Sequence, residues 1–351
     1  MQASDSLAMP IGRAAAPGAV AVWLFLCCAL VLAMVVVGGV TRLTHSGLSI
    51  TEWQPIVGAL PPRDQAQWQD AFAKYMATPE YRKINRGMTL DAFKPIFWWE
   101  YVHRLLGRLI GAAFLLPLVV FVAQRKVPPG YASKLAGIFL LGGLQGAMGW
   151  YMVKSGLVDD PHVSQFRLTA HLGFAFLIFG AMLWVGLSLV FPRGAAVAAP
   201  LRRFAYGLAA LVFLMALTGG FVAGIRAGLA YNTFPLMNGR LIPADIWIID
   251  PWWRNFFWNM ATVQFDHRLI AWSLALLVPL LWWRLGATTP MPPRVHAARH
   301  LLLAMLAIQI GLGISTLLMV VPLPLAAAHQ AGALLLFAAA LNLAHALRYL
   351  E

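Results

Sequence analysis

Eight stretches of this chain, near residues 20–40, 97–123, 133–153, 166–190, 204–224, 260–283, 299–320 and 325–347, are apolar almost throughout. Each is long enough to cross about 30 Å of hydrocarbon as a helix. Backbone exposed to lipid must satisfy its own hydrogen bonds, and a continuous apolar run of this length does so only as a helix. The composition agrees, with 60% of the 351 residues hydrophobic and 11% charged, against about 25% charged in a soluble domain. The expected fold class is an all-α polytopic membrane protein with eight transmembrane helices. A cleavable signal would have a shorter apolar core and a small-residue cleavage site. Residues 20–40 therefore read as a retained first helix behind a polar, Ala-rich tail, 1–19.

A formal net charge of +13 could suggest a nucleic-acid partner. In a membrane protein, basic residues instead mark the cytoplasmic loops, and no nucleic acid is expected. Three short connections carry Arg125, Lys126 and Lys134, then Arg193, Arg202 and Arg203, then Arg284, Arg294 and Arg299, with no acid among them. They predict cytoplasmic termini, with Arg13 and Arg348 in accord. The long loops 41–96 and 225–259 then face outward, and the chain lies among membrane lipids. The second long loop carries Trp247, Trp252, Trp253 and Trp258, an interfacial signature. Cys27 and Cys28 are neighbours on one helix, so their side chains diverge, and neither a loop disulfide nor a metal site is expected of them.

The chain repeats itself. GGVTRLTHSGL (38–48) aligns with GGFVAGIRAGL (219–229) at an offset of 181, which also places Gly58 on Gly239 and Pro62 on Pro243. His103-Arg104-Leu105 aligns with His267-Arg268-Leu269 at 164, as do Gln145 with Gln309 and Gly149 with Gly313; His171 falls on His329 at 158. With an even number of helices per half, the repeats are parallel, related by an axis along the membrane normal. The expectation is two four-helix bundles, 20–190 and 204–351, joined by a cytoplasmic linker at 191–203. Two similar bundles should hold two similar sites.

Of nine histidines, His45, His162, His296, His300 and His345 lie in loops or near an inner helix end and need no special role. His103, His171, His267 and His329 lie on the even-numbered spans, each within about two turns of the outward end. One such histidine is readily a buried polar group satisfied by a neighbouring helix. Four at one depth, paired by the repeat, point to axial ligation of haem iron, since two imidazoles on facing helices can clasp a flat macrocycle. Free Zn²⁺ or Cu²⁺ would need more ligands than this depth offers. The residue four places after each histidine is small: Gly107, Ala175, Ala271 and Ala333. A ring lying on that face would need the room, although small residues also serve plain helix packing. Arg104 and Arg268 follow their histidines and are candidate partners for haem propionates, or else snorkel to the interface.

The halves differ at one titratable place. Glu100 lies three residues before His103, on the same face, and the 164 offset puts Gln264 at the equivalent position. A carboxylate beside a porphyrin can move protons or stabilise a developing cation, and an amide can do neither. Chemistry is therefore expected in the N-terminal half and a resident haem in the C-terminal half. The plainer reading of Glu100 is an i,i+4 ion pair with Arg104.

GGVTRLTHSGLSITEWQPIVGALPP, EYVHRLLGR, TAHLGF, RAGLAYNTFPLMNG, FDHRLIAW and AAHQAGA, in that order over nearly the whole chain, resemble the haem A synthase family, in its proteobacterial and mitochondrial branch. The resemblance implies eight helices and oxidation of the C8 methyl of haem O to the formyl group of haem A, the product serving cytochrome c oxidase. It implies His267 and His329 as ligands of a haem b iron, His103 and His171 as the pair that receives haem O, and Glu100 as the acid beside that site. It further implies haem O synthase and the cytochrome c oxidase assembly apparatus as partners, together with an unidentified electron donor. One departure is that some bacterial members carry cysteine pairs in the outer loops. Neither 41–96 nor 225–259 contains cysteine, so a thiol role there does not apply.

A di-haem b membrane electron carrier would use the same four histidines without needing Glu100. A transporter built on parallel repeats would place broken helices near the midplane, whereas the polar residues here cluster at the outer boundary.

Overall fold

The computed structural model describes residues 17–53, 58, 60–157, 163–195, 197–288 and 290–348. Arg13 and His162 lie outside the described residues. Eight helices are long and apolar enough to cross a membrane. They are α1 (Pro17–Leu43), α4 (Leu90–Ala123), α5 (Ala132–Gly156), α6 (Gln165–Val190), α7 (Ala199–Gly224), α9 (Met260–Gly286), α10 (Pro293–Leu318) and α11 (Leu323–Ala346). Short helices α2 (Gln65–Met76), α3 (Pro79–Lys83) and α8 (Asn255–Trp258) occupy the long loops. No strand occurs among the described residues, only an isolated bridge between Met237 and Arg240. The chain is an integral membrane protein of the all-α class.

Helix ends follow local chemistry. Asp64 accepts from Gln67 N at 2.8 Å to start α2, and Asn259 accepts from Ala261 N at 2.9 Å to start α9. Each side chain satisfies a backbone donor that the first turn leaves without a helical partner. Thr89 does the same for α4 through Ala92 N, and α4 begins seven residues before the expected 97. Hydropathy marks only the lipid-crossing part of α4. Its polar first turns project beyond that part and carry a cap made of α2 and α3. Tyr75 stacks on Phe93 at 5.0 Å, Phe72 lies 5.3 Å from Phe93, and Trp68 meets Phe97 edge-on at 5.0 Å. Burying such rings contributes about 1.5–3 kcal/mol each, enough to order a loop whose sequence is only mildly amphipathic.

The second long loop is ordered differently. Asn255 is fully buried; it accepts from Ile249 N and donates to the Ile249 and Trp252 carbonyls, while Asn259 donates to Asp245 O and Asn255 Oδ1. Two amides there do what an aromatic cluster does in the first loop.

Packing runs in two rings. Helix α1 lies on α4, α4 on α5, α5 on α6 and α6 back on α1, and the same cycle runs through α7, α9, α10 and α11. The rings meet where α6 packs on α7 and α11, and α1 on α11. The joining segment is tied to the last helix by Ala195 N donating to Ala346 O at 2.8 Å. At that same end His345 is fully buried, with Arg294 Nη2 at 2.7 Å on one ring nitrogen and Ser188 Oγ at 3.1 Å on the other. It stitches α6 and α10 to α11. Cys27 and Cys28 are both buried and free.

Candidate functional site

Helices α4 and α6 stand diagonally across the first ring, and α9 and α11 diagonally across the second. The four repeat-related histidines belong to these diagonal pairs, His103 on α4 with His171 on α6, and His267 on α9 with His329 on α11. For His267 and His329 the ring centroids are 6.5 Å apart at an interplanar angle of 79°. Two metal–imidazole bonds of about 2 Å each, together with two half-rings, span about 6–6.5 Å. The separation therefore suits one iron held between them. Among the described residues no group of three or more His, Cys, Asp or Glu could hold a metal ion, and a macrocycle that supplies its own nitrogens needs only two.

Every histidine of the four is seated on a glycine of an adjacent helix. A Cβ at position 38 would lie 3.0 Å from His103 Nε2, at 149 it would lie 3.1 Å from His171 Cε1, at 219 it would lie 3.3 Å from His267 Cε1, and at 313 it would lie 2.9 Å from His329 Cε1. Real Cβ contacts are rarely so close, and the missing methyl is what lets the ring lie flat on the neighbouring backbone. The second glycine of each doublet serves a different contact. A Cβ at 39 would strike the side chain of Gln330 on α11, and one at 220 would lie 2.8 Å from Thr169 Oγ1 on α6. Gln330 itself donates to Val35 O on α1 at 2.9 Å. These seats were visible in the sequence only as repeat-related glycines, the doublet recurring at the 181 offset and Gly149 with Gly313 at 164.

Glutamines accompany two of the rings. Gln145 Nε2 is 3.4 Å from His171 Nε2, and Gln309 Nε2 is 3.1 Å from His329 Nδ1 and donates to His329 O at 2.9 Å. His267 Nδ1 lies 2.9 Å from Thr218 Oγ1.

Glu100 is 2% exposed. Its Oε2 accepts from Ser49 Oγ at 2.7 Å and from Ile50 N at 2.8 Å, and its Oε1 accepts from Arg104 Nε at 3.0 Å and Nη2 at 2.6 Å. The remaining donors of Arg104 reach Ile50 O at 2.7 Å and Glu52 O at 3.1 Å. The i,i+4 ion pair is thus present, and it is also the clamp that draws residues 49–52 over the first ring. Arg104 spends its hydrogen bonds on this clamp.

The second ring copies the frame with neutral chemistry. Arg268 Nη2 donates to Tyr231 O at 2.9 Å, and Tyr231 follows Ile50 by the same 181 residues that align the doublets. The Gln264 amide accepts from Arg268 at 3.0 Å and donates to Ala227 O at 2.9 Å. Arg268 Nε and Nη1 are buried with no partner among the described residues. A buried guanidinium with idle donors fits an anionic group such as a propionate. The small residues differ in surroundings: Gly107 is exposed, Ala271 and Ala333 are half-buried, and Ala175 sits within the packed core. For Ala175, smallness serves helix packing.

A second acid, which sequence reading passed over, lies in the cap. Glu80 on α3 is 4% exposed, and its Oε2 has no partner among the described residues. Burial, with a smaller contribution from the negative charge of Glu100, pushes its carboxyl up to about 8. The folded state therefore binds the Glu80 proton more tightly than the unfolded chain does. Stability is greatest below the ordinary carboxylate pKa of about 4.3 and declines as pH rises toward 8. Glu80→Gln should remove this slope. Its melting temperature should match the wild type near pH 4.5 and exceed it by a few °C (about 1–2 kcal/mol) near pH 9. Superimposable pH profiles would show that Glu80 is not held protonated.

Eight membrane helices with two diagonal pairs of seated imidazoles, one pair spaced for a single iron, define an integral membrane protein whose paired imidazoles suit axial ligation of an iron. A profile of the family described as cytochrome oxidase assembly protein matches residues 21–341. Haem A synthase of Nitrosospira multiformis is 64% identical over 94% of this chain and 93% of its own length. Those of Nitrosomonas eutropha and Parvibaculum lavamentivorans are 57% and 50% identical, covering 92% and 94% of both partners respectively. The chain belongs to the haem A synthase family of cytochrome oxidase assembly proteins.

Proposed function

We propose that this protein is a haem A synthase built as two four-helix halves, one for the reaction and one for a resident haem b. The relatives' names support the synthase reading over that of a simple electron carrier. The single observation that carries the division of labour is the pair of matched frames, in which a carboxylate stands at 100 and an amide at 264.

In this reading haem O binds between His103 and His171, and its C8 methyl is oxidised to the formyl of haem A. Haem b is held by His267 and His329, with Arg268 turned to a propionate. Bound there, haem b would supply one-electron chemistry. The chain's own residues orient and insulate. Gly38 and Gly149 set the depth of the substrate imidazoles. The Glu100–Arg104 clamp holds residues 49–52 against the ring and keeps a preorganised carboxylate–guanidinium pair beside the substrate site, where charge developing in the reaction meets fixed dipoles without reorganisation. Gly107, Ala271 and Ala333 leave room beside the macrocycles. Haem O synthase supplies the substrate, and the cytochrome c oxidase assembly apparatus takes the product. The histidine ends of the helices face the periplasm and both termini the cytoplasm, in the inner membrane.

Deleting the gene and extracting total haems tests the function. Haem O should accumulate and haem A disappear. Haem A persisting without haem O would overturn the reading.

A further inference from the structure

The two rings differ at a second repeat-related position. Thr218 precedes the Gly219–Gly220 doublet on α7, and the 181 offset puts Val37 before Gly38–Gly39 on α1. Thr218 Oγ1 lies 2.9 Å from Met215 O and 2.9 Å from His267 Nδ1. A hydroxyl has one proton to give. The Met215 carbonyl, one turn back on the same helix, is where a helical threonine commonly spends it. The oxygen is then left to accept from Nδ1–H. His267 is thereby fixed as the tautomer whose Nε2 carries the free lone pair, and its Cε1–Nδ1 edge is the one laid on Gly219, at 3.3 and 3.9 Å from a Cβ there. His103 is turned the other way. Its Nε2–Cδ2 edge lies on Gly38, at 3.0 and 3.4 Å, and Val37 offers its ring no hydrogen-bonding atom.

We infer that Thr218 is a positioning residue that locks His267 for permanent iron ligation, and that valine at the matching position 37 leaves His103 free to release its porphyrin. The inference deepens the proposed division between a resident and a transient haem, and it rests on that reading. A ligating imidazole whose second nitrogen is anchored keeps its orientation and donates more strongly to the metal; loss of such an anchor typically costs about 10–100-fold in metal affinity. A site that must discharge product gains nothing from such a lock, since tight holding would only delay release.

The test uses full-length purified protein and two readouts besides activity: the rate at which haem b leaves to an excess of apo-globin, and the midpoint potential of the bound haem. Thr218→Val should lose haem b about 10–100-fold faster and raise its potential, because a weaker donor favours the ferrous state. Thr218→Ser, which keeps the hydroxyl, should behave as the wild type in both. Wild-type protein loaded with haem O should release it at least about tenfold faster than it releases haem b. The inference is overturned if Thr218→Val matches the wild type, if Thr218→Ser is as leaky as Thr218→Val, or if the wild type releases haem O no faster than haem b. His267→Ala in the same assay separates the two levels of the argument. Should it retain haem b, the ligand assignment itself fails; should it lose haem b while Thr218→Val does not, only the role of Thr218 fails.

Discussion

Glu100→Gln abolishes conversion of haem O while haem b stays bound. The carboxylate accepts four hydrogen bonds, two on each oxygen, from Ser49, Ile50 and Arg104. Glutamine has one accepting oxygen, so whichever way its amide turns, its NH₂ meets donors. Breaking a buried ion pair on one side leaves the other charge uncompensated, at about 3–5 kcal/mol. If even about 3 kcal/mol of that falls on the transition state, the rate drops about a hundredfold. Extracted haems should then be nearly all haem O, while the visible spectrum of the purified variant keeps the haem b bands. Wild-type conversion by Glu100→Gln would reduce the residue to a loop anchor. The converse change, Gln264→Glu, would set a carboxylate oxygen against the Ala227 carbonyl and should create no second active half.

The second large effect separates the halves by colour. His267→Ala or His329→Ala removes one of two imidazoles spaced for a single iron. Haem b content should fall by more than about tenfold, the least that loss of even an outer partner costs. His103→Ala should leave haem b in place and stop turnover. Spectra of the purified variants decide between this pattern and its reverse, and the reverse would exchange the roles of the halves.

The lipid-crossing helices and the histidine quartet were legible because both depend on strong, local signals: unbroken apolar length, and polar groups where polar groups are expensive. The cap was less so. In α2 the rings of Trp68, Phe72 and Tyr75 follow the spacing of one helical face, but the segment's charges masked it within a connection read only as a long loop. The early start of α4 at Leu90 depends on burial of Phe93 and Phe97 under that cap, a tertiary contact that hydropathy does not register. At the site, the i,i+4 spacing offered the Glu100–Arg104 pair as the plainer alternative to a chemical role, and the pair is present, but the grip of Ser49 and Ile50 on the same carboxylate spans about fifty residues of sequence and no periodicity announces it. Glu80 looked like one more loop acid until the fold buried it. Thr218 left a trace, a hydroxyl opposite a valine in otherwise matched repeats, which gained meaning only when His267 was placed beside it.

The Gly-Gly doublets join each ring to its neighbour: one glycine receives the imidazole of its own half, and the next receives Gln330 or Thr169 from the other. Such reciprocal contacts are what two identical subunits would make about a twofold axis. Identical subunits, however, would be obliged to carry the same residue at 100 and 264 and the same residue at 37 and 218. Tethering both copies in one polypeptide lifts that obligation, so that the two cradles can carry different side chains at these positions and, in the proposed division, hold their pigments for different lengths of time.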